Sequence, residues 1–215
     1  LPKISDDMSG HYLIQLSNAE FEAKIKNFEK LSFEQKIRLL IDRSLLMRTP
    51  YIKASTVLDL LPEFKEESLE SIWQLIVTLI ANLKIFFPPD SPHFDLFKQY
   101  IIQLAKHNLS RLGLSPLKTD TIDDLKLRPL ILNFMIYAEN QQVMQQLAET
   151  YDQKIGKNLD FDAVPPEILD TIVDAKYKFA KESIFESLLE QYQKESNPTY
   201  KSIILDVLTE SRTEK

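Results

Sequence analysis

The chain has 215 residues with 26 Lys+Arg against 32 Asp+Glu, a net charge of -6, and is 44% apolar and 27% charged. These are the proportions of a soluble globular protein, and surface scaling lets about 70% of the unfolded surface be buried, enough for one or two self-supporting domains. The absence of cysteine excludes disulfides, thiolate metal sites, iron–sulfur clusters and a cysteine nucleophile, and three glycines are too few for a P-loop or a dinucleotide fingerprint.

The first patterned segment is Gly10-His11-Tyr12-Leu13-Ile14-Gln15-Leu16, whose alternation reads as a strand. Residues 1–16 are accordingly expected to be the end of a preceding β domain or a linker, and 17–215 a helical domain. From there the apolar spacing is helical nearly throughout. Ser17-x-x-Glu20, Ser32-x-x-Gln35 and Ser183-x-x-Glu186 fit the capping box, in which hydroxyl and acid or amide each satisfy an orphan N–H. Thr49-Pro50, Ser91-Pro92 and Asn197-Pro198 place a capping side chain before a proline suited to the first helical position. Gly113 and Gly156 stand where left-handed C-terminal caps are expected.

Between these marks run apolar stripes. Phe21, Ile25 and Phe28 line one helix, and Ile37, Leu40, Ile41 and Leu45 the next. The longest stripe runs from Leu69 through Trp73 and Ile80 to Phe87, stopped by Pro88-Pro89. Later stripes follow Phe97 and Ile101, Leu127 and Ile131, Val143 and Leu147, Ile168 and Ile172, Ile184 and Leu188, and Ile204 and Val207. About ten helices in antiparallel pairs are expected: an all-α fold, stacked as a HEAT/armadillo-like right-handed superhelix behind the short strand-like segment.

Ser9-Gly10-His11-Tyr12-Leu13-Ile14 resembles the Gly-aromatic-Tyr-Arg-Val-x-Tyr segment that leads into the C-terminal helical domain of the zinc aminopeptidases of the aminopeptidase N family. Arg38-Leu39-Leu40-Ile41-Asp42, Glu67 with Trp73, Leu127-Arg128 before Leu130-Ile131, and Val164-Pro165-Pro166-Glu167-Ile168 are similar to successive motifs of that domain. Tyr192 and Lys201, Ile204 and Leu208 fall where its last motifs lie. Leu13 and Leu169 replace the usual arginines, and the glycine common near Phe179 is absent.

The resemblance implies a non-catalytic domain of a peptidase that removes N-terminal residues from peptides. Such a domain caps the active-site cleft and lines the peptide cavity. Its partners would be the catalytic and β domains of the same parent chain, together with peptide substrates; neither nucleic acid nor membrane is expected. Zinc would belong to the parent enzyme, with no cofactor, metal or catalytic residue in this fragment. The family's His-Glu-x-x-His, Gly-x-Met-Glu-Asn and oxyanion tyrosine motifs are not in the sequence. A fragment cut at both ends, or a chain from a lineage with a shorter C-terminus, is expected, from a cytoplasmic protein; the alternative function is a stand-alone helical-repeat interaction module.

Three groups of residues are candidate sites. His11, His93 and His107 lack ligand spacing. Asp152, Asp160 and Asp162 lack the glycine and closing glutamate of a calcium loop and read as a solvated linker. Arg128, set among Leu125, Leu127, Leu130 and Ile131, must reach a helix end, pair with an acid such as Asp123 or Asp124, or face a cavity. By resemblance it is the candidate contact for a peptide's C-terminal carboxylate, which suits a planar bidentate donor. Trp73, Phe86 and Phe87 are expected to form a hydrophobic cluster, and Pro129 to start or kink its helix.

Overall fold

A computed structural model describes the backbone of residues 13–210 and the side chains of 13–180 and 184–209. Ten α-helices appear among the described residues, in keeping with the all-α expectation: α1 Asn18–Lys26, α2 Phe33–Leu46, α3 Ser55–Leu60, α4 Glu70–Leu83, α5 Phe94–Leu112, α6 Ile122–Tyr137, α7 Gln141–Thr150, α8 Pro166–Phe179, α9 Lys181–Lys194 and α10 Pro198–Glu210. They divide into two compact units between Phe94 and Asp95.

Gly10 to Tyr12 of the expected strand lie outside the described residues. Leu13 to Ser17 are irregular, and the Ile14 N–H donates to the Asp42 carboxylate (3.3 Å) rather than to another strand. In the first unit the two early capping boxes form as expected, with Ser17 and Ser32 each accepting from the N3 amide and receiving the N3 side chain on their own N–H. Helix α2 packs on α3 and α4, burying Leu39, Leu40 and Leu46 with Val57, Leu60 and the α4 face of Ile72, Trp73, Ile76, Leu79, Ile80 and Leu83. Phe28 meets Phe64 edge-on at 4.8 Å.

Three expectations in this unit are corrected. Thr49-Pro50 starts no helix: the Thr49 hydroxyl donates back to the Leu46 carbonyl (2.6 Å), and α3 begins only at Ser55. The long stripe does not stay α-helical to Phe87, because α4 gives way at Lys84 to a 3₁₀ turn, Lys84–Phe86. Tightening to three residues per turn rotates the following side chains off the apolar face. Phe86 is therefore 54% exposed, outside the core that encloses Trp73, and Ile85 is 78% exposed.

In the second unit α8 is central, packing against α6, α7, α9 and α10. Ile168, Leu169, Thr171, Ile172, Val173, Ala175, Lys176 and Tyr177 are all buried, covering most of the helix surface and leaving Asp170, Asp174 and Lys178 as its outer face. Gly113 closes α5 at φ +64°, its N–H bonded to the Leu109 carbonyl. The α6–α7 turn uses Glu139 at φ +55° for the same purpose, with Asn140 N–H reaching back to the Met135 carbonyl (2.8 Å). Helix α7 widens into a π-helical turn, Tyr151–Ile155, before Gly156. Asn197 caps α10 through the Thr199 N–H (3.0 Å) as expected.

Two starts differ from expectation. Ser91 accepts from His93 N–H (3.2 Å), and α5 begins at Phe94, two residues past Pro92. Helix α9 begins at Lys181, so Ser183 lies inside it rather than at its cap. Pro129 does not start α6 either. A Thr121/Asp124 capping box opens that helix about two turns earlier, and the assigned helix runs through the proline.

Candidate functional site

Arg128 sits at the junction of α5, the following loop and α6. It occupies the buried α6 face with Leu127, Ile131, Leu132 and Met135, a stripe in which it is the one charged member, and it is fully enclosed. Its Nε and Nη2 donate to the Leu112 carbonyl (3.2 and 3.0 Å), and Nη2 also reaches Asp120 Oδ2 (2.5 Å). The guanidinium thus satisfies a carbonyl that the end of α5 leaves without a helical donor, while Asp120 supplies its counter-charge. Asp120 in turn accepts from the Leu117 N–H (2.7 Å), tying the whole loop to the pair. Both structural roles foreseen for Arg128, a helix end and an acid, are found together. The acid is Asp120, not Asp123 or Asp124. Nη1 is buried and has no hydrogen-bond acceptor among the described residues.

Asp124 is engaged instead by Arg111 in a very short ion pair, and it closes the capping box with Thr121. The Arg111 guanidinium, more than the Thr121 N–H and hydroxyl, holds its pKa at about 2, down from 3.8. A depressed carboxyl stabilises the fold where it is ionised. Its contribution should therefore be complete above pH ~4 and fade as pH falls from there toward 2. Acid unfolding followed by circular dichroism should show a shallower loss over that range in Asp124→Asn, whose side chain cannot titrate.

The remaining candidates are dispersed. His11 lies outside the described residues; His93 and His107 are exposed on different turns. Asp152 accepts from Lys176 Nζ (2.8 Å), and Asp162 takes a very short hydrogen bond from the Tyr200 hydroxyl, so the linker acids face separate partners. Among the described residues no group of three or more His, Asp or Glu side chains is placed to hold a metal ion.

One feature was missed by the sequence reading. In the first unit the segment before α1, α1 itself, the end of α2 and the 50–59 segment enclose an open cleft of about 820 Å³. Phe21 and Arg43 are buried in its lining; Leu16, Ile25, Ile52 and Thr56 are half-buried, and Glu22, Lys26, Tyr51, Lys53 and Asp59 are exposed around it. Arg43 stacks on Phe21, its guanidinium carbon 3.8 Å from the ring centre, a cation–π contact. The signal was present in the stripe Leu39-Leu40-x-x-Arg43-x-x-Leu46-Met47, where an arginine takes a helical core position.

Residues 3–215 match the family model described as "ERAP1-like C-terminal domain". The chain belongs to that family. It is 23% identical over 208 residues to an "Aminopeptidase N" of Lactobacillus helveticus, covering 95% of this chain and 24% of that protein. Over 209 residues it is 22% identical to the "Alanine/arginine aminopeptidase" of Saccharomyces cerevisiae, covering 96% and 24%. An "Aminopeptidase 2" of Candida albicans is 25% identical over 199 residues, covering 91% and 21%. The chain spans about a quarter of the length of these relatives. Among the described residues no helix is long and apolar enough to cross a membrane.

Proposed function

We propose that this chain is the non-catalytic C-terminal domain of a zinc-dependent aminopeptidase, one that closes over the active-site cleft and lines the cavity holding the peptide. The observation that carries the reading is the family match over residues 3–215, joined to relatives named as aminopeptidases in which the matched part is about a quarter of the protein. In this reading the helix pairs stack as a superhelical wall, and zinc and the reacting groups belong to other parts of a cytoplasmic parent chain. The peptide-carboxylate contact that the resemblance assigns to Arg128 would have to use Nη1, because Nε and Nη2 are already committed to Leu112 and Asp120.

The purified 215-residue chain should release no product from aminoacyl-4-nitroanilides, with or without added zinc. Turnover abolished by a chelator would overturn the proposal. The gene encoding this chain should carry a His-Glu-x-x-His motif upstream of Leu1. A complete reading frame lacking one would instead support a free-standing interaction module.

A further inference from the structure

The connection from α7 to α8 departs from ordinary backbone three times in succession. Its π-turn, Tyr151–Ile155, closes with the Gly156 N–H bonded to the Tyr151 carbonyl, so it holds one residue more than an α-turn does. Gly156 itself stands at φ +55°, ψ -158°, a conformation open essentially to glycine alone. Leu159 follows at φ +53°, ψ +44°, the left-handed region that a residue with a Cβ disfavours. Outliers of this kind persist only where surrounding contacts over-determine them.

Those contacts lie at the two ends of the segment. Upstream, Tyr151 is buried and Asp152 receives Lys176 Nζ of α8 (2.8 Å). Downstream, the 3₁₀ turn Phe161–Ala163 is fastened to α10. The Tyr200 hydroxyl donates to Asp162 in a very short hydrogen bond, and the Phe161 and Tyr200 rings meet edge-on at 5.3 Å. Between the ends, the Asp160 N–H bonds to the Ile155 carbonyl (3.2 Å). With both ends fixed, the additional residue is confined to the segment, and the wide turn accommodates it.

We propose that this connection is a two-register joint, in which Tyr200 of α10 keeps the additional residue in the π-turn and release of that clasp lets α7 close as an α-helix through Ile155. In the second register the residue-156 amide bonds to the Asp152 carbonyl, and the additional residue passes into the loop that follows. Gly156 and Leu159 then recover ordinary backbone angles, while the ties to α10 are lost. Each register therefore satisfies what the other strains, the condition for a bistable element. The clasp is at the surface, Asp162 being exposed and Tyr200 half-buried, whereas Val164 and Ile168 beyond it stay in the core. It can thus open locally without unfolding the unit. The seating of α10 is in this way linked to the end of α7. The proposal does not depend on the aminopeptidase reading.

Nuclear magnetic resonance of the 215-residue chain reads the register directly, because a coupling across the hydrogen bond identifies the carbonyl that an amide uses. In the unaltered chain the Gly156 amide should couple to Tyr151. In Gly156→Ala the residue-156 amide should couple to Asp152 instead. A Cβ at this position meets nothing within 4 Å, so the substitution acts through φ and not through a clash. Tyr200→Phe keeps the ring contact with Phe161 and removes the hydroxyl. It should enlarge the second register by about two- to tenfold, the effect of one hydrogen bond. In the unaltered chain that register should be populated at about 1–10%. Relaxation dispersion should then show one shared exchange process from Asp152 to Leu159, with minor-state shifts matching those of Gly156→Ala. Where Gly156→Ala fails to fold, the exchange in the unaltered chain and its response to Tyr200→Phe decide. Retention of the Tyr151 coupling in Gly156→Ala, flat dispersion in the unaltered chain, or no response to Tyr200→Phe each overturns the proposal.

Discussion

Arg128→Met is expected to destabilise the chain by about 3–5 kcal/mol, the range for breaking a buried pair by removing one partner. The substitution nearly conserves volume, so the loss is not one of packing. It comes from Asp120, left 9% exposed with its charge uncompensated, and from the Leu112 carbonyl, left without a donor at the end of α5. For a domain whose whole stability is about 5–15 kcal/mol, that is a large fraction. Urea unfolding should show the midpoint falling with an unchanged slope. Adding Asp120→Asn should recover part of the loss, because the stranded carboxylate is then neutral and the two effects are coupled. If Arg128→Met alone leaves the midpoint within about 0.5 kcal/mol of the parent, the junction is not held by this pair.

Trp73→Ala should be comparably severe, about 3–5 kcal/mol for a large core aromatic. Trp73 is completely enclosed on the α4 face. Its indole Nε1 donates to the Glu67 carbonyl (2.8 Å), fixing the turn that leads into α4. The carboxylate of the same Glu67 receives Lys36 Nζ of α2 at 3.1 Å, so one residue links core, turn and neighbouring helix through its backbone and its side chain. Trp73→Phe separates the two contributions. It keeps most of the apolar contact but strands a carbonyl, and should cost about 1–3 kcal/mol. Denaturant midpoints for both variants check the order; equal losses would mean that the indole hydrogen bond contributes nothing.

Much of the fold could be read along the chain, for local reasons. Ser17, Ser32 and Asn197 act within three residues of themselves, and their caps form as read. Thr49 and Ser91 are the same kinds of residue, yet the helices expected to start beside them begin further on, and Ser183 lies inside α9. A hydroxyl beside a proline has competing acceptors, and Thr49 takes the end of the helix behind it. Thr121-x-x-Asp124 and Asn140 are caps that the sequence reading passed over, although their pattern is equally local. Phe86 shows the limit of periodicity: a stripe continues on paper while a single 3₁₀ turn changes the angle per residue and moves it to the surface.

The site divides along the same line. Spacing alone placed Arg128 among core positions, which required a helix end or an acid to receive it. Which acid could not be read, because Asp120, Asp123 and Asp124 differ by a few residues but not in kind. The Thr121 box turns Asp124 toward Arg111 and leaves Asp120 in the loop beside the guanidinium. Arg43 shows the reverse. Its burial follows from helical period, but that no carboxylate among the described residues hydrogen-bonds to it depends on Asp42 Oδ2 having turned to Arg38 and Ile14. Composition and period, which are properties of neighbours in the chain, determined an all-helical protein and which faces turn inward. Partner choice and open volume depend on where distant residues arrive in space, and only the packed structure decided them.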